Sequence, residues 1–193
     1  FPALPGVRHP RALAPSITHF ACPMHAIGLN GFDVWHYGNV HGRRVKPLPM
    51  VHSDAPHHLA LEFQADVQAQ TLYDRLMVTL DYATLHVKLD YYGGNLIAVR
   101  NLSGGYLALL SMAPVDAEHC VVYLNAFGEA RDGALAAVWQ AIFLALTRRI
   151  ALYFLKADEP FLTGMRPAEG LLVAGRDDVA REFWRWWRAL PRP

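Results

Sequence analysis

Between residues 58 and 67 apolar side chains take every second position, Leu59, Leu61, Phe63, Ala65 and Val67, with His58, Glu62, Gln64 and Asp66 among the positions between them. A two-residue period turns one face to a core and the other to water, so this segment predicts a half-buried strand. Residues 85–89 alternate in the same way. Tyr91-Tyr92-Gly93-Gly94-Asn95 then reads as a turn, residues 96–100 as a strand, Ser103-Gly104-Gly105 as a second turn, and residues 106–112 and 120–127 as further strands. Residues 71–80 fit a strand or a short helix equally. Residues 133–155, rich in Ala and Leu with Arg148 and Arg149 near the far end, predict a long helix whose cations suit its dipole. Residues 17–41 read as mostly helical, and the Pro-rich residues 1–15 as an extended linker.

Consecutive strands joined by Gly turns, followed by one long helix, imply an α+β domain. A curved antiparallel β-sheet would pack on the long C-terminal helix and leave a cavity between the two.

At 193 residues and 53% hydrophobic content the chain can bury one sizeable core and is not a disordered polypeptide. Its 18 basic and 17 acidic side chains leave a net charge of +1, which gives no electrostatic case for nucleic acid or an anionic membrane as a partner. The Arg43-Arg44 pair and the Arg-rich C-terminus read as solvated surface or as a contact with a redox partner. The longest apolar run, residues 134–146, is broken by Gln140 and falls short of the roughly 20 residues a spanning helix needs, so a buried amphipathic helix and no membrane span are expected. Residues 1–16 lack a signal-peptide succession and begin without Met, so a cytoplasmic, truncated chain is expected. Cys22 and Cys120 give no disulfide framework.

The candidate chemistry is concentrated in residues 29–42, LNGFDVWHYGNVHG. On a helix Asn30, Asp33 and His36 would share one ridge, while His41 would rotate off it unless the backbone breaks, for which Gly38 and Gly42 are placed. A metal-ligating imidazole needs its second N–H held by an acceptor, and Asp33 lies one turn before His36. Two His with a nearby Asp are also found as structural polar clusters.

The full Asn-x2-Asp-x2-His-x4-His spacing resembles the mononuclear iron motif of the Rieske non-haem iron oxygenases, large-subunit type. The resemblance extends from about Ile17 to the C-terminus. Residues 113–119 (APVDAEH), read as opening a strand, look like the family's Thr-Pro-hydrophobic-Asp stretch with Ala113 in place of Thr, and residues 183–190 (FWRWWRAL) are similar to its terminal helix. The resemblance implies a helix-grip fold of the START/Bet v type and an Fe(II) centre held by His36, His41 and a carboxylate far downstream. The matching position is Asp158, placed just beyond the long helix and before Pro160, with Glu159 as the rival. Fe(II) with two neutral imidazoles calls for such a carboxylate. Asn30 would orient the site, and Asp33 would bridge electron transfer from a Rieske [2Fe-2S] cluster on a neighbouring subunit.

Cys22-Pro-Met-His25 supplies only half of a Rieske cluster motif, with no Cys-x-His upstream, so Cys22 and His25 are expected to be packing residues. Residues 1–16 would then be the linker from a missing N-terminal Rieske domain and residues 17–193 the catalytic domain. The implied activity is a mono- or dioxygenase acting with O2 on a small apolar organic substrate, served by a ferredoxin or reductase, in a homo-oligomer (trimer) of the full-length protein. Phe32, Tyr37, Val40, Phe154 and Phe161 are candidates to line the pocket. A metal-free START-like ligand carrier and a zinc hydrolase, which also uses two His, an acid and water, remain as alternatives.

Overall fold

The computed structural model describes residues 10–47, 49–79, 83–102, 106–130 and 132–191. Among the described residues nine strands form one antiparallel sheet. They are β1 (Pro10–Ala12), β2 (Ser16–Phe20), β3 (Arg43–Val45), β4 (Met50–Ala55), β5 (His58–Val67), β6 (Thr84–Tyr92), β7 (Leu96–Asn101), β8 (Tyr106–Pro114) and β9 (Cys120–Glu129). Their order is β1-β9-β8-β7-β6-β5-β3, with β2 also on β9 and β4 also on β5. The register places Leu61, Leu89, Val99, Ala108 and Ala126 in one row across β5 to β9. Because side chains alternate along each strand, that row faces inward and carries the core face. The opposite face holds ion pairs, among them Glu62 with His86 and Asp90 with His58, Lys88 and Arg100.

Across the inner face runs α4 (Ala134–Leu162), which buries Gln140, Leu144, Thr147, Leu155 and Leu162. Its outer side is also apolar: Leu135, Trp139, Ile142, Leu146 and Tyr153 are all exposed. The helix thus packs one face on the core as expected, and departs from the amphipathic expectation only in that its outer face is apolar as well. By length and composition it could cross a membrane, yet one face packs on β9, β8 and β2 and it carries Asp158 inward. It also runs past the expected end at residue 155 and contains Pro160. A proline there forfeits one backbone hydrogen bond in the last turn without ending the helix earlier.

The remaining helices are α1 (Met24–Phe32), α2 (Val34–Asn39), α3 (Leu72–Thr79) and α5 (Asp178–Ala189). Helix α3 resolves the ambiguity between strand and helix for residues 72–79, while residue 80 lies outside the described residues. Thr71 and Asp74 close a reciprocal cap, with the Asp74 N–H donating to Thr71 Oγ1 at 3.1 Å and the Thr71 N–H to Asp74 Oδ2 at 3.0 Å. Helices α1 and α5 pack closely at Gly28, where a Cβ would lie 2.7 Å from the Phe183 ring.

Several expectations change in detail. Residues 17–41 are mostly helical as expected, through α1 and α2, but Ile17 to Phe20 belong to β2 and the helix breaks at Asp33. Tyr91 and Tyr92 extend β6, and residues 113–119 close β8 and turn into β9 rather than opening a strand. Of the expected linker, residues 10–12 pair with β9 as β1, while residues 1–9 and the expected turn at 103–105 lie outside the described residues. Cys22 is buried and His25 stacks on Trp187 at 5.4 Å, as packing residues do.

Candidate metal centre

The motif folds as two helices meeting at a corner. Asp33 is extended (φ −79°, ψ 94°), ends α1 and caps α2, its Oδ1 accepting from Trp35 N at 3.0 Å. This is the ordinary work of an Asp N-cap. The backbone carbonyl of Asp33, not its carboxylate, accepts from His36 Nδ1 at 2.5 Å. A carbonyl can only accept, so Nδ1 carries the proton and Nε2 keeps its lone pair. Burial further holds His36 below its ordinary value, against the pull of Asp158, which favours the neutral ring a metal requires. Beyond α2 the chain turns at Val40 and His41, Val40 N donating to His36 O at 2.7 Å, which brings His41 back toward His36, and Gly42 at φ 59°, a left-handed conformation that suits glycine, then leads into β3. The two rings stand 5.0 Å apart, edge to face.

Asp158 reaches the same point from α4. Its Oδ1 lies 2.9 Å from His41 Nε2 and 3.9 Å from His36 Nε2. Donors sharing a first-row ion at roughly 2.0–2.2 Å sit up to about 4 Å from each other, so these separations fit one ion. His36, His41 and Asp158 are all in the wall of one cavity, and their ligand atoms lie within 4.8 Å of one another. Asp158 Oδ1 and His41 Nδ1 are buried without a hydrogen-bond partner. An orphaned carboxylate oxygen aimed at two imidazoles is costly unless a cation or proton meets it. The donor set, two nitrogens and one carboxylate with room beside them, fits a divalent metal. Glu159 is exposed and absent from the cavity wall.

The cavity measures about 200 Å³ between the sheet and α4. Asn30 and Tyr37 line it from the motif, and Phe63, Val87, Val99, Leu110, Ile150 and Phe154 give it an apolar body. Tyr37 donates to Gly31 O at 2.9 Å, and burial raises its phenol well above the usual range. Of the expected pocket residues, Tyr37 and Phe154 are present, while Phe32 sits in the core, Phe161 is exposed and Val40 is outside the wall.

One side chain was misread from sequence. Arg43 is not solvated surface: it is buried, lines the cavity and pairs with Asp74 at 2.8 Å, whereas Arg44 beside it is exposed. The Arg-Arg doublet hid the alternation of β3, and the Thr-x2-Asp cap at residues 71–74 was the signal that could have revealed its partner.

No family model and no curated protein sequence matches the chain. Solved structures do match. The quaternary ammonium Rieske monooxygenase CntA in complex with gamma-butyrobetaine aligns with a TM-score of 0.58 at 10% identity, covering 94% of this chain and 49% of that one. Dicamba monooxygenase bound to dicamba gives 0.63 at 12% identity, over 94% and 58% of the two chains. NdmB of Pseudomonas putida CBB5 gives 0.56 at 12% identity, over 92% and 49%. The chain thus spans about half the length of the structures it matches. At such identities the likeness is one of architecture, and the architecture is that of Rieske monooxygenase catalytic domains.

Proposed function

We propose that this chain is the catalytic domain of a Rieske-type oxygenase, an oxidoreductase that oxidises a small organic molecule held in the cavity between the sheet and α4. The observation that carries this reading is the convergence of His36 Nε2, His41 Nε2 and the orphaned Asp158 Oδ1 on one point of that cavity's wall, within a fold shared with Rieske monooxygenases. His36, His41 and Asp158 would hold Fe(II), which when bound would supply the oxygen chemistry.

The chain's own residues prepare the site. Asp33 O fixes the His36 tautomer and ring plane. Asp158 supplies the negative charge that two neutral imidazoles lack. Phe63, Val87, Val99, Leu110 and Ile150 desolvate the substrate's apolar part. Asn30 lines the cavity beside the motif, as a residue that orients a ligand or water would. The Asp33 carboxylate, one residue from the start of α2, is the proposed bridge for electrons from a Rieske [2Fe-2S] cluster outside this chain. A ferredoxin or reductase would supply those electrons, and a trimer of the longer cytoplasmic protein would bring cluster and iron together.

The test is metal content. Protein reconstituted anaerobically with Fe(II) should hold about one iron per chain, and His36→Ala and His41→Ala should each abolish it. Full iron retention in both variants overturns the assignment. Selective uptake of zinc would point to a hydrolase, and no metal uptake to a carrier of apolar ligands.

A further inference from the structure

The cavity holds a second polar feature that the metal ligands do not explain. Arg43 opens β3 with its side chain only 4% exposed. Its Nη1 donates to Asp74 Oδ1 at 2.8 Å and to Gly42 O at 3.2 Å, and its guanidinium carbon lies 5.2 Å over the Phe154 ring. The same ring meets His41 at 4.8 Å, so a single phenyl group separates the guanidinium from the metal ligands. Arg43 Nε is buried with no hydrogen-bond partner.

Guanidinium presents its donors in a fixed fork, and Asp74 occupies the Nη1 side. The Nε edge is the kind that takes a carboxylate through two parallel bonds. A buried donor without an acceptor is unfavourable, so the site is poised for one. Charge points the same way. Arg43 and Asp74 cancel, while a divalent ion with Asp158 and neutral imidazoles leaves one positive charge, which a monoanion would balance. The rest of the wall is mainly apolar, so the complementary molecule is a small apolar body with one carboxylate.

We propose that Arg43 is the specificity residue of this cavity, anchoring the substrate's carboxylate so that its apolar part extends past Phe154 toward His36, His41 and Asp158. This rests on the reading of the cavity as the substrate site. Asp74 acts as a positioning residue that holds the guanidinium in place.

The test compares benzoate with its neutral isostere benzamide by calorimetric titration into iron-loaded, anaerobic protein, with iron content measured on the same samples. Wild type should bind benzoate at least roughly tenfold more tightly than benzamide. Arg43→Lys, which keeps the charge but loses the fork, should erase most of that preference. The double variant Arg43→Met with Asp74→Asn leaves no unpaired buried charge and retains an acceptor for the α3 cap. It should bind the two probes within about threefold of each other, with benzamide affinity little changed. Equal affinities in wild type, an undiminished benzoate preference in both variants, or no benzoate binding up to about 10 mM overturns the proposal. If the double variant does not fold, as judged by circular dichroism, Arg43→Lys decides alone. A wild type that holds one iron per chain without preferring benzoate loses only the Arg43 anchor. A wild type that prefers benzoate without taking iron loses only the oxygenase reading.

Discussion

Asp158 Oδ1 and His41 Nε2 lie 2.9 Å apart, although one belongs to the penultimate turns of α4 and the other to the loop after α2. The neighbouring acid, Glu159, is turned to solvent by the helical rotation of about 100° per residue. Asp158→Ala should therefore lower iron affinity by more than roughly 100-fold, and Glu159→Ala should leave it within about threefold. Iron content of the two variants side by side, with folding checked by circular dichroism, decides the point. An empty site in Glu159→Ala with a filled one in Asp158→Ala would move the ligand by one residue.

Asp33 has two separable jobs. Its carbonyl holds His36 and its carboxylate caps α2. Asn caps as well as Asp does, so Asp33→Asn should keep fold and iron nearly intact, whereas Asp33→Ala should cost about 1 kcal/mol of stability. In a chain joined to a Rieske domain, Asp33→Asn should nonetheless lose coupled turnover, because only the charge has changed. Product formation near the wild-type level in that variant would restrict Asp33 to the cap.

Acid stability should report on Asp90. Burial acts to raise its carboxyl, but hydrogen bonds from Arg100 at 2.5 Å and His58 at 3.0 Å outweigh it and hold the group below its usual value of 3.8. A folded value below the unfolded one contributes stability that is complete above pH 3.8 and is lost as pH falls through the folded value. Asp90→Asn should cost about 2–4 kcal/mol at pH 7, moderated by the partial exposure of Lys88 and Arg100, and the difference from wild type should shrink toward pH 3. A denaturant midpoint difference that is flat with pH would remove Asp90 from the acid response.

Much of this protein is determined locally. The alternation at residues 58–67 could give only a half-buried strand, because a two-residue period has no helical face to bury, and β5 runs over those same residues. Ala and Leu through residues 134–155 could hardly avoid a helix. The spacing of Asn30, Asp33, His36 and His41 marked the segment that supplies two of the three side chains of the candidate metal centre. Other features depend on contacts that no window of sequence contains. The break at Asp33 lets a backbone carbonyl rather than a carboxylate orient His36. Continuation of α4 through Pro160 lets Asp158 point inward from a helix instead of from a loop. Arg43 looked like surface because charge ordinarily seeks water, and it is buried only because α3 brings Asp74 to it across the end of the sheet. Local propensity and period are read within a few residues, whereas the pairing of a buried ion, and the meeting of a ligand with its partners from the other end of the chain, are decided by packing alone.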